Sequence, residues 1–228
     1  MNDIVARCCR RRNRHNSRWV SEEKKLFESG LVGRREHLRP LVRLASWTGM
    51  RRGELLRLEI NHVNLGKAQR TFTVKGQRIV LDPNWLLIEK SKNGKPRSIP
   101  MSKPVRSILE ILCSDTTSDG FVFGNPRTNF HVKDIKHGFR GAREGAGIED
   151  LTFHDLRHTW STRAAECGVT ETVRRDILGH SSSTMTGDYT HSTQESQMAA
   201  MELVSSYKSR ILDKISTKKQ INELVAAN

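Results

Sequence analysis

No apolar run in this 228-residue chain approaches the roughly 20 residues that a membrane-spanning helix needs, and its first 20 residues carry six arginines where a signal peptide would place an apolar stretch. Neither secretion nor membrane insertion is expected. The four cysteines, Cys8, Cys9, Cys113 and Cys167, are scattered apart from one adjacent pair, which suits neither a disulfide framework nor a paired metal-binding knuckle. A reducing cytoplasm is the expected location. Internal repeats, low-complexity tracts and Gly-rich phosphate loops are also missing. Gly141-x-x-x-Gly145 lies in a polar helical stretch without nucleotide-binding context, so a nucleotide-dependent enzyme is not supported.

Acidic residues are in deficit. Against 39 Lys and Arg stand 25 Asp and Glu, a net charge of +14 with a pI near 10.1. Residues 1–20 hold Arg7, Arg10, Arg11, Arg12, Arg14 and Arg18 against Asp3 alone, which leaves +9 on the rest of the chain. A basic arm alone would be an ordinary solvated charge run. The surplus on the remainder points to a polyanionic partner, with nucleic acid as the leading class. The length suffices for one large domain or two small ones without covalent staples.

Ser21 followed by Glu22 and Glu23 has the chemistry of a helix start, because a hydroxyl and early carboxylates suit unpaired amide groups at the positive dipole end. A folded unit is expected from residue 21, with 1–20 as a basic flexible arm or remnant of a linker. Leu38, Leu41, Val42, Leu44 and Ala45 predict a helix from about Arg34 to Trp47, and another is expected over Gly53–Leu58. Between Val63 and Pro100 short runs rich in Val, Ile, Thr and Phe are broken at Lys75-Gly76, Asp82-Pro83 and Asn93-Gly94. Asn93-Gly94, flanked by 85–90 and 97–99, predicts a tight hairpin. Helical spacing returns after Pro104 and again near 132–145, 154–166, 170–178 and 194–212. The expected fold class is mainly α with a small antiparallel β-sheet.

Four segments set unusual polar groups within this apolar pattern: Thr48-Gly49-Met50-Arg51-Arg52-Gly53-Glu54-Leu55, Ser91-Lys92-Asn93-Gly94-Lys95-Pro96-Arg97, Phe153-His154-Asp155-Leu156-Arg157-His158, and Leu178-Gly179-His180 followed nine residues later by Tyr189. Taken singly they would read as a helix-start arginine, a turn lysine, a helix end and an ordinary aromatic. In this order and spacing, from about residue 17 to about residue 205, the set resembles the catalytic domain of the tyrosine recombinase, or phage integrase, family.

The resemblance implies the DNA breaking-rejoining fold of that family over residues 21–191 and a site-specific recombinase acting in DNA integration or excision. It implies roles as well. Arg51 and Arg157 would clamp the scissile phosphate, Lys92 act as general acid, His154 as general base, His180 as a hydrogen-bond donor to the phosphate, and Tyr189 as nucleophile. Neither metal nor cofactor is implied. The implied partner is double-stranded DNA, bound by a homotetramer on synapsed sites, and the helical tail, residues 192–228 with Met198, Met201 and Val204 as its apolar stripe, would dock on a neighbouring protomer, with packing on its own domain as the other reading.

Each of these residue types suits phosphoryl transfer. Two planar guanidinium forks can donate paired hydrogen bonds to charge gathering on the non-bridging oxygens. A phenol with a pKa of about 10 is mostly protonated at neutral pH, so a histidine that accepts its proton assists attack. The expelled sugar alkoxide is the stronger base, and a nearby lysine can protonate it. The phosphotyrosyl link then stores the bond for rejoining.

Alternatives stay open at this point. His154 and His158 could form a zinc pair with His180 or His191, although Asp155 stands where metalloprotease helices carry Glu. Glu54 is expected to orient Arg51, with a plain surface glutamate as its other reading. Extra sequence after Thr71–Val74 makes Lys75 a competitor of Lys92, which is preferred because Lys95-Pro96-Arg97-Ser98-Ile99-Pro100 follows it as a second hairpin strand. The family's usual DNA-clamping domain has no counterpart before residue 21, so the chain is read as a possible catalytic fragment. The competing functions are a type IB topoisomerase-like enzyme and a non-catalytic DNA-binding remnant of an integrase.

Overall fold

Apolar residues at helical spacing build most of the framework. The computed structural model describes residues 22–89, 95–114, 120–125, 127–128, 130–179 and 192–226, with side chains described up to Arg210. Residues 22–25 are helical and run into a π-turn over Leu26–Gly30. The helix expected from Arg34 divides in two: a 3-10 stretch, Gly33–Leu38, gives way to α1, Arg39–Thr48. Pro40 explains the junction, since a proline without an N–H is best tolerated in a first helical turn. Leu41, Val42, Leu44 and Ala45 of α1 are all buried, as their spacing requires.

The short helix α2 covers Arg52–Leu56. Four strands follow: β1 (Arg70–Val74), β2 (Gln77–Leu81), β3 (Trp85–Ile88) and β4 (Arg97–Pro100). They form two separate antiparallel hairpins, β1 with β2 and β3 with β4. Val74 faces Gln77 across a two-residue turn in which Lys75 and Gly76 both have positive φ, as a tight hairpin turn requires. Ile88 faces Arg97, while the expected Asn93-Gly94 turn between them lies outside the described residues. All four β3 side chains are buried because its faces meet different clusters. Leu86 and Ile88 join the main core, and Trp85 and Leu87 pack with Val74 and Leu81.

The remaining helices are α3 (Lys103–Ser114), α4 (Lys136–Gly145), α5 (Phe153–Glu166), α6 (Glu171–Leu178) and α7 (Gln194–Ala226). Helix α5 is covered on several sides: Leu156, Trp160 and Ala164 enter the main core, and Arg157 and Arg163 are buried as well. Helix α7 docks in cis as far as Lys208. Met201 and Val204 belong to the chain's own core, Met198 packs on the smaller cluster, and Ser205 donates to Ser102 Oγ at 2.7 Å. The apolar stripe expected to serve a neighbouring protomer is therefore occupied by the chain itself, because helical spacing reveals an apolar face without revealing what covers it. Burial of side chains such as Met201 and Val204 contributes about 1.5–3 kcal/mol each.

A sealed ionic cluster ties the ends together. Glu23 accepts from Arg163 Nη1 at 3.0 Å and contacts Lys208 Nζ at 2.5 Å, and Lys208 also donates to Ser46 Oγ at 2.6 Å. The ammonium lies 4.7 Å from the Trp47 ring centroid, a cation–π geometry.

Candidate active site

The Thr48-Gly49 pair sets the direction of the first arginine. Helix α1 ends at Thr48, and Gly49 takes the left-handed conformation, φ +66°, with its N–H donating to Ala45 O. A Cβ on Gly49 would lie 2.7 Å from Leu178 Cδ2 and 3.2 Å from the Trp160 ring, so the turn also needs glycine for close packing. The chain then extends through Arg51, which precedes α2. Glu54, in the first turn of α2, accepts both the Arg51 backbone N–H and Arg51 Nη1 at 2.9 Å.

Arg157 comes from α5, whose start is fixed by Thr152 and Asp155. The Thr152 N–H and hydroxyl both donate to Asp155 Oδ2 at 2.7 Å. Arg157 is buried and donates through Nη1 to Gly49 O at 2.8 Å and through Nη2 to Leu178 O at 2.6 Å. Arg51 reaches the same Leu178 oxygen at 3.5 Å and Gly179 O at 3.1 Å. Two arginines thus meet at the C-terminal end of α6, where unpaired carbonyls and the negative dipole end favour cations. A guanidinium carries five N–H donors, so these bonds exhaust neither.

Burial and then the neighbouring Arg51 push the Arg157 pKa down to about 9 against an opposite pull from Glu54, and it stays protonated at neutral pH. Burial works to raise the Glu54 pKa, but Arg97 and then Arg51 outweigh it and hold the carboxyl below its usual range. His154 stands at the surface one turn before Arg157, its ring 4.7 Å from that of His158 in edge-to-face contact. Partial desolvation, with the charges of His158 and Arg157, lowers its pKa against Asp155, so the neutral imidazole that can accept a proton prevails at pH 7.

Arg51 and His154 open onto a cleft of about 540 Å³. Helix α4 also lines it, with Lys136, Arg140 and Arg143, and the apolar lining includes Met50, Phe139, Leu151 and Phe153. Asp134 pairs with Arg52 and Lys136, and Glu144 with Arg140 and Arg143, yet the cleft lining itself contains no carboxylate. The surroundings suit an anionic ligand.

Of the residues singled out in the sequence, the structure brings Arg51, His154 and Arg157 together, with Glu54 bonded to Arg51. Lys92, His180 and Tyr189 lie outside the described residues. Their neighbours are placed: Gly179, before His180, presents its carbonyl to Arg51, and Ser192, three residues after Tyr189, donates its N–H and hydroxyl to Asp176 Oδ2 of α6 at 2.8 and 2.6 Å. Lys75 belongs to the β1–β2 turn, whereas Lys92 falls in sequence between β3 and β4. His180 and His191, the third ligands of the zinc alternative, also lie outside the described residues. Among those described, Glu59, His62 and Glu89 have potential ligand atoms within 4.8 Å of one another, and Glu59 and His62 already face each other at 4.0 Å.

Arg97 was not expected here. At the start of β4 it donates through Nη1 and Nη2 to the two Glu54 oxygens at 3.0 and 2.9 Å, and through Nε to Ile177 O at 3.2 Å. The Lys95-Pro96-Arg97 run was legible only as the return of a hairpin, since its carboxylate partner is 43 residues away.

The chain is similar to known proteins in both sequence and fold. The phage integrase family profile matches residues 32–196. The chain is 31% identical over 173 residues to a shufflon-specific DNA recombinase of Escherichia coli, covering 75% of this chain and 37% of that protein. It is 29% identical over 169 residues to the tyrosine recombinase XerA of Pyrococcus furiosus, covering 72% and 53% respectively. The chain thus spans about half or less of the length of these relatives. Among solved structures, the integrase of mycobacterium phage Brujita superposes with a TM-score of 0.56 at 20% identity, over 81% of this chain and 56% of that one. The lambda integrase catalytic core gives 0.52 at 20% identity, over 71% of this chain and 93% of that one. From the profile match and the shared catalytic-core fold it follows that this chain belongs to the phage integrase family.

Proposed function

We propose that the chain is the catalytic part of a site-specific recombinase that cuts and rejoins double-stranded DNA through a 3′-phosphotyrosyl intermediate, in integration or excision of DNA. The observation that carries this reading is the convergence of Arg51 and Arg157 on Leu178 O, with Arg51 and His154 lining one basic cleft. In the proposed reaction the two arginines hold the non-bridging oxygens of the scissile phosphate. The Tyr189 oxygen attacks phosphorus while its proton passes to His154. The P–O5′ bond breaks, and Lys92 supplies the proton that the leaving 5′-oxygen takes. His180 donates a further hydrogen bond to the phosphate. Attack by a DNA hydroxyl reverses these steps and returns the protons, so no outside energy source enters the balance.

The names of related proteins support the partners. One structural neighbour is a lambda integrase tetramer bound to a Holliday junction, consistent with a homotetramer on synapsed sites. A cytoplasmic location accords with the free thiols of Cys113 and Cys167. Among the described residues no helix is long and apolar enough to cross a membrane.

The test uses a pool of nicked duplexes of randomised sequence, in which loss of the fragment beyond the nick traps a cleaved intermediate. The full chain with EDTA should give a denaturant-resistant protein–DNA adduct whose DNA defines the site. Tyr189→Phe should abolish the adduct and keep non-covalent binding. Absence of an adduct with the unmodified chain, or its persistence in Tyr189→Phe, overturns the reading.

A further inference from the structure

Strand periodicity puts Arg97 on the same face as Ile99, which is fully buried in the main core. A guanidinium on a core-facing position needs partners, and Arg97 finds them on two other elements: Glu54 of α2 takes a two-pronged bond, and Ile177 of α6 takes the Nε–H. Glu54 is in turn the residue that holds Arg51, through its backbone N–H and its Nη1. The glycine of Leu178-Gly179-His180 belongs to the same construction. Gly179 has φ +66°, and a Cβ there would lie 2.8 Å from the Arg97 guanidinium carbon and Nη1, so the side chain is seated against a bare Cα.

We propose that Arg97 is a positioning residue that locks three parts of the site in one register: the hairpin carrying Lys92, the Arg51–Glu54 turn, and the end of α6 that leads into His180. This rests on the recombinase reading. Arg97 is set back from the cleft that Arg51 lines, and three of its five N–H groups donate to Glu54 and Ile177. It acts through Glu54 on Arg51. Lysine cannot replace it, since a single ammonium cannot span both carboxylate oxygens and a carbonyl on another element.

The test compares Arg97→Met and Arg97→Lys with the unmodified full chain on the duplex recovered from the adduct pool, in two versions. One carries the ordinary phosphodiester at the scissile position. The other carries a methylphosphonate, whose uncharged phosphorus centre makes less demand on a guanidinium. Misplacement of Arg51 should slow adduct formation on the phosphodiester by roughly 10–100-fold, and most of that loss should disappear on the methylphosphonate, as for Arg51→Ala. Arg97→Lys should recover charge and melting temperature but not rate. Equal losses on both substrates, or full recovery with lysine, overturn the proposal.

A second measurement needs no DNA. In ¹⁵N spectra of the full chain, the Arg51 Nη resonances, assigned by their loss in Arg51→Lys, should be resolved while Glu54 holds the group and should merge in folded Arg97→Met. Unchanged Arg51 resonances in that variant overturn the proposal even if the unmodified chain cleaves no DNA, an outcome that by itself removes only the recombinase reading.

Discussion

Glu54 and Glu23 are each buried between two basic side chains, Arg51 and Arg97 in one case and Arg163 and Lys208 in the other, yet the two clusters differ in what lies beyond them. Around Glu23 the protein closes completely: Arg163, Lys208 and the carboxylate are all buried, and the cations join the first described helix to α5 and α7. Around Glu54 a third guanidinium, Arg157, is added, the carbonyls ending α6 supply negative potential, and Arg51 borders a cleft. Positive excess is tolerated there because helix-end carbonyls supplement the single carboxylate. The sealed cluster instead adjusts through its lysine, whose pKa is pushed down to about 8 by burial against the pull of Glu23. Similar ion pairs serve cohesion in one region and leave binding capacity in the other.

If that contrast holds, breaking the sealed cluster should cost stability and spare chemistry. Glu23→Ala leaves two buried cations uncompensated and should lower unfolding free energy by about 3–5 kcal/mol in denaturant titrations, with the cleavage rate per folded molecule unchanged. The acid limb carries the same signature. Burial tends to raise the Glu23 pKa, but Lys208 and Arg163 hold it at about 2 against an ordinary 4.5. Its contribution is therefore present above pH 4.5 and is lost as pH falls through the folded value, and Glu23→Gln should flatten that decline.

Breaking the open cluster should do the reverse. Arg51→Ala should slow adduct formation by about 10²–10³-fold, as for loss of one preorganised donor, with little change in melting temperature. In the unmodified chain the same rate should fall on acidification with a midpoint below 6.5, because His154 has a lowered pKa and cannot accept a proton once charged. A midpoint above 6.5 would remove His154 as the base.

The smallest effect belongs to the element both clusters share. Helix α5 carries Arg157 and Arg163, and Thr152→Ala removes its cap at a cost of about 1 kcal/mol. Calorimetry should show that modest loss, while chemical denaturation of Glu23→Ala combined with Thr152→Ala should give nearly additive losses.

Much of this was legible because the Thr48–Leu55 and Phe153–His158 segments place polar groups at fixed offsets within local turns and helices, where spacing translates directly into geometry. A separation of three residues makes Glu54 the expected partner of Arg51, and the structure has that bond. What escaped depends on tertiary approach. Arg97 meets Glu54 from another element, and Glu23, read as a carboxylate suited to a helix start, meets Arg163 at a separation of 140 residues. The Met201–Val204 stripe was visible, but its owner was not. The single helix expected over Arg34–Trp47 changes geometry at Arg39, a break that apolar periodicity alone does not register.

The basic residues in and behind the cleft also differ in how freely they can change. Arg157 of α5, behind the lining, is enclosed by bonds to Gly49 and Leu178, whereas Lys136 and Arg140 of α4 line the cleft and are exposed. Substitutions at exposed sites usually move stability by no more than about 0.5 kcal/mol. A laboratory selection for altered target preference should therefore gather its successful changes along α4, leaving α5 untouched, so that new specificities can be acquired without renegotiating the fold.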